Sequence, residues 1–381
     1  MSRNCHKAAY HGVFLNRLRV EYIYPQIIEE FGIQGGLVPE DVEKVLKTDH
    51  DIQAVLVVSP TYDGIVSDIE KIVEICHGCG IPLIVDEAHG AHFRYHKGFP
   101  VSALDLGADV VIQSLHKTLP AFTQTSILHV KGNLVDWERL EHYLQIFQSS
   151  SPSYLFMAGM ERCLRFMEES KGTEEGMTGG RSRMDQFYHR LVKLRKELGA
   201  MKRLRLLEED SKGKNGVYDL DISKVIISRG TGINGEELGE WLRRDYHLEM
   251  EMCAAEYVTA ITTVMDTEEG LRRLRNALLE IDGKLSDRVE SQDCGKKNQR
   301  YELKPETVMS IADGWEQADK KISLEDSVGR ISGEYIYLYP PGIPFVVPGE
   351  KISQEVVDLV KRYQKCGYSV QGMADQNCKE I

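Results

Sequence analysis

Short apolar runs recur in the first part of the chain and are separated by one amphipathic stretch. The run at 52–58 is almost continuously apolar, as in a parallel strand that is buried on both faces. Apolar residues at helical spacing then predict a helix over 68–79. Further apolar runs predict strands at 81–85, 108–112 and 126–130. This β-α-β-β order is typical of an α/β sheet, whose ligands bind at the carboxyl ends of its strands.

Helical periodicity dominates the rest of the chain and is interrupted by two polar stretches, at 171–180 and 283–300. We expect helices at 135–148, 154–169, 181–199, 235–245, 267–281 and 353–365, and strands at 224–228 and 257–263. The polar stretches predict domain boundaries. The predicted parts are a major domain at 1–170, a small α/β subdomain at 181–282, a linker at 283–300 and a C-terminal domain at 301–381.

The composition is that of a globular protein with a sizeable core, because 42% of the 381 residues are hydrophobic. The formal net charge of −12 argues against nucleic acid or an anionic membrane as a main partner. No stretch reaches the apolar length of a membrane span. The eight cysteines are scattered rather than arranged as a disulfide framework, so we expect a protein of the reducing cytoplasm.

One pair of cysteines, Cys76 and Cys79, has the spacing of a redox motif or of half a zinc site. Cys76 continues the apolar face of the predicted helix, and Gly78 and Gly80 are placed to end that helix. No second Cys or His pair lies at zinc-finger spacing. We therefore interpret these cysteines as small buried or helix-capping residues and expect no metal site.

Two charged side chains stand at the ends of predicted strands. Lys117 follows the strand at 108–112, and Asp86 follows the strand at 81–85. An amine and a carboxylate in these positions are what a pyridoxal 5′-phosphate enzyme needs. The amine condenses with the aldehyde of the cofactor, and the carboxylate keeps the pyridine nitrogen protonated so that the ring accepts electrons. Either residue alone would be an ordinary solvated strand end, but together, in this order, they predict such a site.

Short motifs spread over the whole chain resemble those of one known family. They are Arg3–Lys7, Ser59–Tyr62, Val85–His92, Ser114–Lys117, Thr123–Ser126, Ser150–Tyr154 and Tyr339–Pro344. On these residues the chain resembles the Orn/Lys/Arg decarboxylase family of fold-type I pyridoxal phosphate enzymes, in particular its short bacterial arginine decarboxylases. The block Tyr339–Pro344 (Tyr-Pro-Pro-Gly-Ile-Pro) matters most, because general aminotransferases would not be expected to carry it.

The resemblance implies an aspartate aminotransferase-like α/β fold with a mostly parallel sheet and a smaller α/β C-terminal part. It also implies that His6 stacks on the pyridine ring and that the active site forms at the interface of a homodimer or higher homo-oligomer. At that interface, Ser150 and Ser151 would reach the cofactor phosphate of the partner subunit. Glu334 would lie near the substrate entrance, where its carboxylate could bind the distal cation of a basic amino acid.

Four further residues near the two strand ends are candidate cofactor contacts. Ser114 and His116 precede Lys117 and are candidate contacts of the cofactor phosphate. Ala88, two residues beyond Asp86, would point the same way on a strand and leave room for a flat ring. His89 is a candidate lining residue of the pocket. Each of the four could instead be an ordinary core or strand-end residue.

The start of the chain departs from the family pattern. In the family, a Gly/Ser/Thr-rich phosphate-binding segment precedes the Arg-Asn-x-His-Lys block, whereas this chain begins with Met1-Ser2 directly at that block. We therefore expect a fragment, a misplaced start codon or a truncated paralogue. Because a Gly-rich loop usually anchors the phosphate, residues 1–381 alone are expected to bind the cofactor weakly.

The sequence therefore predicts a lyase of polyamine-type metabolism, which removes CO2 from a basic amino acid with the help of pyridoxal 5′-phosphate. Arginine, giving agmatine, is the first choice of substrate, and lysine or ornithine follow. Two alternatives remain open at this point. One is a fold-type I aminotransferase or lyase with the same cofactor, and the other is an inactive truncated subunit that assembles with an intact one.

Overall fold

The computed structural model describes residues 1–171, 182–228, 233–285, 303–339, 342–365 and 368–381. The chain divides into a central unit, Gln34–Gln292, and a terminal unit that joins Met1–Ile33 to Asp293–Ile381. Three sequence features lie wholly or partly outside the described residues: the polar stretch at 171–180, most of the linker at 283–300, and two prolines of the Tyr339–Pro344 block. The domain boundaries at 170, 181, 283 and 301 stay predictions.

Most predicted elements are present, with ends within a few residues of the predicted bounds. The helices in the described residues are α1 Lys7–Leu15, α2 Pro39–Thr48, α3 Ile69–Gly78, α4 Leu115–Thr118, α5 Trp137–Phe147, α6 Tyr154–Lys171, α7 Arg183–Leu198, α8 Gly235–Tyr246, α9 Glu268–Leu285, α10 Ile311–Glu316 and α11 Gln354–Lys365. None of these helices is both long enough and apolar enough to cross a membrane.

The strands include several pieces of only two residues. They are β1 Ile27–Ile28, β2 Ile33–Gln34, β3 Val55–Val58, β4 Ile65–Val66, β5 Leu83–Asp86, β6 Val110–Ser114, β7 Ser126–Val130, β8 Arg205–Leu206, β9 Asp219–Leu220, β10 Lys224–Ser228, β11 Met252–Cys253, β12 Tyr257–Ile261, β13 Ile336–Leu338, β14 Ile343–Val346 and β15 Val370–Gln371. The sequence missed helices α1, α2, α4 and α10 and most of the shortest strands. A two-residue strand is too short to produce a periodic signal.

A four-stranded sheet of the central unit, with the order β3-β5-β6-β7, carries the predicted strand ends. Strands β3, β5 and β6 are parallel, with Val58 opposite Asp86 and Asp86 opposite Ile112. Helix α3 lies between β3 and β5 in the chain, and Asp68 caps it by accepting a hydrogen bond from Lys71 N at 3.0 Å. Because parallel strands end at the same edge of a sheet, Asp86 and the segment after β6 are neighbours.

The fourth strand of this sheet runs the other way. Strand β7 is antiparallel to β6, with Ser126 opposite Ser114. The connection between them is too short for the crossover that a parallel pair requires. The sheet is therefore mostly parallel, as predicted. Burial of β3 on both faces was a wrong expectation: Val55 and Val57 are buried, but the alternate residues are half-buried, and the central strand β5 shows the same alternation.

A second sheet of the central unit, β11-β12-β10-β8, is antiparallel throughout. It shares one core with α7, α8 and α9, to which Leu194, Leu242 and Leu278 belong. Helix α9 continues to Leu285, so the first residues of the predicted linker are helical instead. The reason is that Leu285 completes the apolar face of α9 and is buried in this core.

The terminal unit packs the sheet β14-β13-β15 against helix α11. A buried ion pair connects the start of the chain to this part: Arg3 Nη2 lies 3.1 Å from Glu350 Oε2. The other guanidinium nitrogen, Nη1, donates to the carbonyl of Pro344 and to the hydroxyl of Tyr10, each at 2.6 Å. Both charges of the pair are thus removed from water and depend on each other.

Glu350→Gln should lower the free energy of unfolding by about 3 kcal/mol, because Arg3 would keep its charge in a buried site without a counter-ion. Urea denaturation measures the loss. The matched control is Glu316→Gln, which removes the carboxylate 2.7 Å from Arg17 in a pair whose two side chains are more than half exposed. That control should cost less than about 1 kcal/mol. Equal losses in the two variants would contradict the prediction.

The cysteine pair has the placement that the sequence predicted. Cys76 is buried on α3, and Cys79 follows the end of the helix as an exposed cap residue. The adjacent His77 pairs through Nε2 with Asp109 Oδ2 at 2.9 Å. The segment therefore fastens the end of α3 to the start of β6.

Candidate active site

Lys117 and Asp86 stand at the same edge of the parallel sheet. Asp86 is the last residue of β5, and β6, the strand before Lys117, is the parallel neighbour of β5. Lys117 does not follow β6 directly, as the sequence suggested, but lies in the short helix α4. The two predicted strand ends are therefore brought together by the pairing of β5 with β6.

Asp86 keeps part of its carboxylate available. Its Oδ1 accepts a hydrogen bond from Ala88 N at 3.1 Å, the one hydrogen bond that this side chain makes among the described residues. The side chain is half-buried. Ala88 is buried but lies beyond the end of β5, so the alternation of a strand does not set its direction. The geometric reason for choosing Ala88 was therefore wrong, and its role as a cofactor contact stays a prediction.

The amine of Lys117 lies in an environment that favours its neutral form. Burial lowers the pKa of Lys117, although the carboxylates of Asp86 and Glu251 act to raise it. Its Nζ lies 3.2 Å from Nε2 of His89. A lysine whose charge is disfavoured is a better nucleophile at neutral pH, because more of it is unprotonated.

His89 is a buried residue of the site. Tyr62 packs edge-on against its ring, with centroids 5.2 Å apart, and the Tyr62 hydroxyl donates to Glu251 Oε1 at 2.8 Å. Burial lowers the pKa of His89 well below its ordinary value, and the nearby Lys224 and Lys117 lower it further. His89 is therefore a neutral imidazole at pH 7.

The other predicted residues around α4 are half-buried. His116 Nδ1 donates to the carbonyl of Thr125 at 3.0 Å, and this bond fixes the orientation of the ring. Nε2 is the ring nitrogen that takes no part in this bond. Ser114 ends β6 and precedes α4 without capping it through its side chain. Both residues lie within a few positions of Lys117, and their contact with a phosphate stays a prediction.

Ser150 and Ser151 are exposed residues between α5 and α6. In the turn that contains them, Ser149 Oγ donates to the carbonyl of Ser151 at 3.1 Å, and Ser151 N lies 3.3 Å from Ser149 Oγ. The hydroxyls of Ser150 and Ser151 are not part of that pair of bonds. Their contact with a partner subunit stays a prediction.

His6 belongs to the terminal unit, where it caps helix α1. Its Nδ1 accepts a hydrogen bond from Ala8 N at 3.2 Å. Gly342 packs against the ring: a Cβ added at Gly342 would lie 3.2 Å from His6 Nε2, and the residue has a φ of +81°. The carbonyl of Gly342 also accepts a hydrogen bond from Lys7 N at 3.0 Å. The start of α1 and the Tyr339–Pro344 block, two of the recognised motifs, thus fix each other.

Glu334 also lies in the terminal unit and has one of its carboxylate oxygens engaged. Its Oε1 accepts a hydrogen bond from Ala374 N at 2.8 Å. The other oxygen, Oε2, is buried and makes no hydrogen bond within the described residues. A contact between Glu334 and a substrate stays a prediction.

Comparison with known proteins settles the family. The family model of the Orn/Lys/Arg decarboxylase major domain matches residues 1–209, and that of the Orn/Lys/Arg decarboxylase C-terminal domain matches residues 291–376. The chain belongs to the Orn/Lys/Arg decarboxylase family. It is 32% identical to an arginine decarboxylase of Halalkalibacterium halodurans and 30% identical to one of Bacillus subtilis. Each alignment covers all of this chain and 75% of the relative.

Solved structures of more distant members confirm the fold. Lysine decarboxylase A from Pseudomonas aeruginosa matches with a TM-score of 0.80 at 19% identity, and the Francisella novicida lysine decarboxylase LdcF with 0.76 at 20%. Both matches cover all of this chain, which spans 65% of the length of each structure. The predicted fold class, that of the fold-type I enzymes, is therefore correct.

Sequence reasoning missed one buried residue beside the candidate site. Lys224, the first residue of β10, places its Nζ 3.2 Å from Nδ1 of His89. The signal was present, because a lysine stands at the head of the otherwise apolar run at 224–228. It was overlooked because a charged residue at the start of a strand is usually solvated, whereas Lys224 is 1% exposed.

Proposed function

We propose that this protein removes the α-carboxylate of a basic amino acid as CO2 and uses pyridoxal 5′-phosphate as its cofactor. The observation that carries the proposal is the pairing of β5 with β6, which sets Asp86 beside the segment of Lys117 at the carboxyl edge of a parallel sheet. Arginine is the first choice of substrate, because relatives named arginine decarboxylase align with the whole chain. Lysine and ornithine are the next choices.

The side chains at this edge fit the cofactor. When bound, pyridoxal 5′-phosphate supplies an aldehyde that condenses with amines and a ring that accepts the electron pair left by the departing carboxylate. Lys117 offers an amine whose pKa is lowered by burial, and Asp86 offers a carboxylate at the neighbouring strand end. Ser114 and His116 are proposed to bind the phosphate, and Ala88 and His89 to line the pocket.

Each residue then has a defined task. Asp86 holds a proton on the pyridine nitrogen, since a carboxylate beside that nitrogen favours its charged form. Lys117 would hold the cofactor through Nζ, and its amine, when free, would serve as the proton donor of the site. His6 is proposed to pack on the ring, and its rotation is limited because Ala8 N and Gly342 contact it.

Recognition of a basic side chain requires a carboxylate near the substrate entrance, and we propose Glu334 for this task. Its free oxygen Oε2 is buried without a hydrogen bond in the described part of the chain, while Oε1 is held by Ala374 N. A carboxylate oxygen that is buried without a hydrogen bond is stabilised when a guanidinium or ammonium group donates to it.

The assembly that this function implies is a homodimer or a larger homo-oligomer. Its support is an exposed apolar surface on the two helices that flank Ser150 and Ser151. The large side chains exposed there include Trp137, Ile146, Phe147, Tyr154 and Leu155. Several large apolar side chains exposed on neighbouring segments of the chain are typical of a protein–protein interface. Association through it would carry the hydroxyls of Ser150 and Ser151 to the partner subunit.

Incubation of the purified protein and cofactor with arginine, lysine or ornithine tests the proposal. We expect CO2 and the corresponding amine, with the highest kcat/KM for arginine. A keto acid without CO2 would indicate an aminotransferase, and no product from any of the three amino acids would contradict the proposal. Size-exclusion chromatography with light scattering tests the assembly, and a monomer would contradict that part.

A further inference from the structure

Glu251 is an exposed carboxylate with one oxygen held and one oxygen free. It directly precedes β11, and its Oε1 accepts a hydrogen bond from the hydroxyl of Tyr62 at 2.8 Å. Within the described residues, Oε2 makes no hydrogen bond and no lysine or arginine forms an ion pair with the side chain. The carboxylate is therefore held in one orientation and can still accept from a cation.

Tyr62 connects this carboxylate to the candidate active site. Its ring packs edge-on against His89, with centroids 5.2 Å apart, and Nε2 of His89 lies 3.2 Å from Nζ of Lys117. All four residues belong to the central unit. Two side chains, those of Tyr62 and His89, therefore connect Glu251 to the amine of Lys117.

The charge of Glu251 also acts on the two lysines beside His89. Burial lowers the pKa of Lys117 and lowers that of Lys224 to about 8, whereas the carboxylate of Glu251 acts to raise both. A carboxylate that favours a positive charge on these amines favours the positive charge of a bound substrate for the same reason. Asp86 also acts on Lys117 but already has a proposed task at the pyridine nitrogen, whereas Glu251 has none.

We propose that Glu251 is a specificity-determining residue, which binds the distal cation of a basic substrate through Oε2. Tyr62 is the positioning residue, because its hydroxyl holds the other oxygen of the carboxylate. The inference rests on the proposed function, which makes Lys117 the residue that the substrate amine approaches. It adds a carboxylate of the central unit to the one that Glu334 offers from the terminal unit.

The shape of the substrates agrees with this placement. In arginine, lysine and ornithine an unbranched stem separates the α-amine from the distal cation. A substrate whose α-amine lies at Lys117 therefore holds its cation away from that lysine, and Tyr62 and His89 set Glu251 apart from Lys117 in the same way. A guanidinium group has five N–H donors, so the carboxylates of Glu251 and Glu334 can both bind it.

Glu251→Gln removes the negative charge but keeps the length of the side chain and an oxygen that can accept from Tyr62. We expect KM for arginine to rise about tenfold or more, because a charge-assisted hydrogen bond to the guanidinium is lost. The value of kcat should change by less than about threefold, since this contact is the same before and during the reaction. Citrulline carries a neutral ureido group in place of the guanidinium, so its inhibition constant against arginine should be unchanged.

Two further variants separate the charge of Glu251 from its surroundings. Glu249→Gln makes the same change at an exposed position two residues earlier, and KM for arginine should stay unchanged. Tyr62→Phe keeps the ring that packs on His89 and removes the hydroxyl that holds Glu251. KM for arginine should then rise about threefold with kcat almost unchanged, because the carboxylate is present but no longer fixed. A fall in kcat with an unchanged KM would contradict the positioning role of Tyr62.

Equilibrium binding tests the inference without decarboxylation. Agmatine keeps the guanidinium but has no carboxylate to lose, and N-carbamoylputrescine is its neutral counterpart. Isothermal titration calorimetry of the full chain with its cofactor should show that Glu251→Gln weakens the binding of agmatine about tenfold and leaves that of N-carbamoylputrescine unchanged.

Three results would overturn the inference: equal agmatine affinity in the variant and the unmodified protein, an equal loss for both ligands, or no agmatine binding to the unmodified protein. Failure of the proposed function would look different. The unmodified protein would then bind agmatine and Glu251→Gln would lose it selectively, but no CO2 would be released from arginine, lysine or ornithine.

Discussion

Lys117→Ala should reduce decarboxylation by about 10⁴-fold or more, because no other described amine occupies the end of β6. The fold should be retained, since the variant removes a half-buried amine whose charged form is disfavoured there. Steady-state release of CO2 measures the loss. Lys131→Ala, an exposed lysine of the same unit, is the matched control and should keep full activity.

A chemical readout makes this prediction independent of turnover. Borohydride reduction of the protein with its cofactor should attach the cofactor permanently to one lysine, and peptide mapping should locate it on Lys117. The Lys117→Ala variant should take up no stoichiometric label. Attachment at Lys224 or at any other lysine would contradict the role proposed for Lys117.

Asp86→Asn should reduce turnover by about 10³-fold, or roughly 4 kcal/mol of barrier, since a neutral amide cannot hold the proton on the pyridine nitrogen. The fold should be unaffected, because an amide oxygen can still accept the hydrogen bond from Ala88 N. The variant should also retain much of its cofactor. The measurement is kcat for CO2 release together with cofactor content from absorbance.

The neighbouring residue supplies the control for Asp86. Burial raises the pKa of Glu87 to about 8, against the hydrogen bonds that its carboxyl accepts from Ser102 and Ala103 N. Glu87 is therefore mostly uncharged at pH 7, and Glu87→Gln replaces it with a group of similar shape and charge. Turnover should be almost unchanged in this variant. If Glu87→Gln lost as much activity as Asp86→Asn, the effect would come from the strand end in general and not from the charge of Asp86.

The sequence predicted the central sheet correctly because the signals for its strands are local. Short apolar runs predicted β5, β6 and β7, and the polar residues after β5 and β6 predicted where a site would lie. The same reasoning failed for α1, which begins directly after His6 in a block that was considered only as a motif. It also failed for Ala88, because the strand rule was extended past the end of β5.

The sequence by itself determined the fold class and the family, and it predicted that Lys117 and Asp86 form a pair at the ends of two strands. The fold class and the pair depend on residue types within a few positions of a strand end, where local periodicity is a sufficient guide. The family was identified by its resemblance in short motifs that are spread over the whole chain. Only the tertiary structure placed Lys224 at His89, which is 135 positions away in the chain, with Lys117 on the opposite nitrogen. Contacts over such distances depend on how separate sheets pack, and no local pattern encodes that. The environment of Lys117 was therefore decided by the fold.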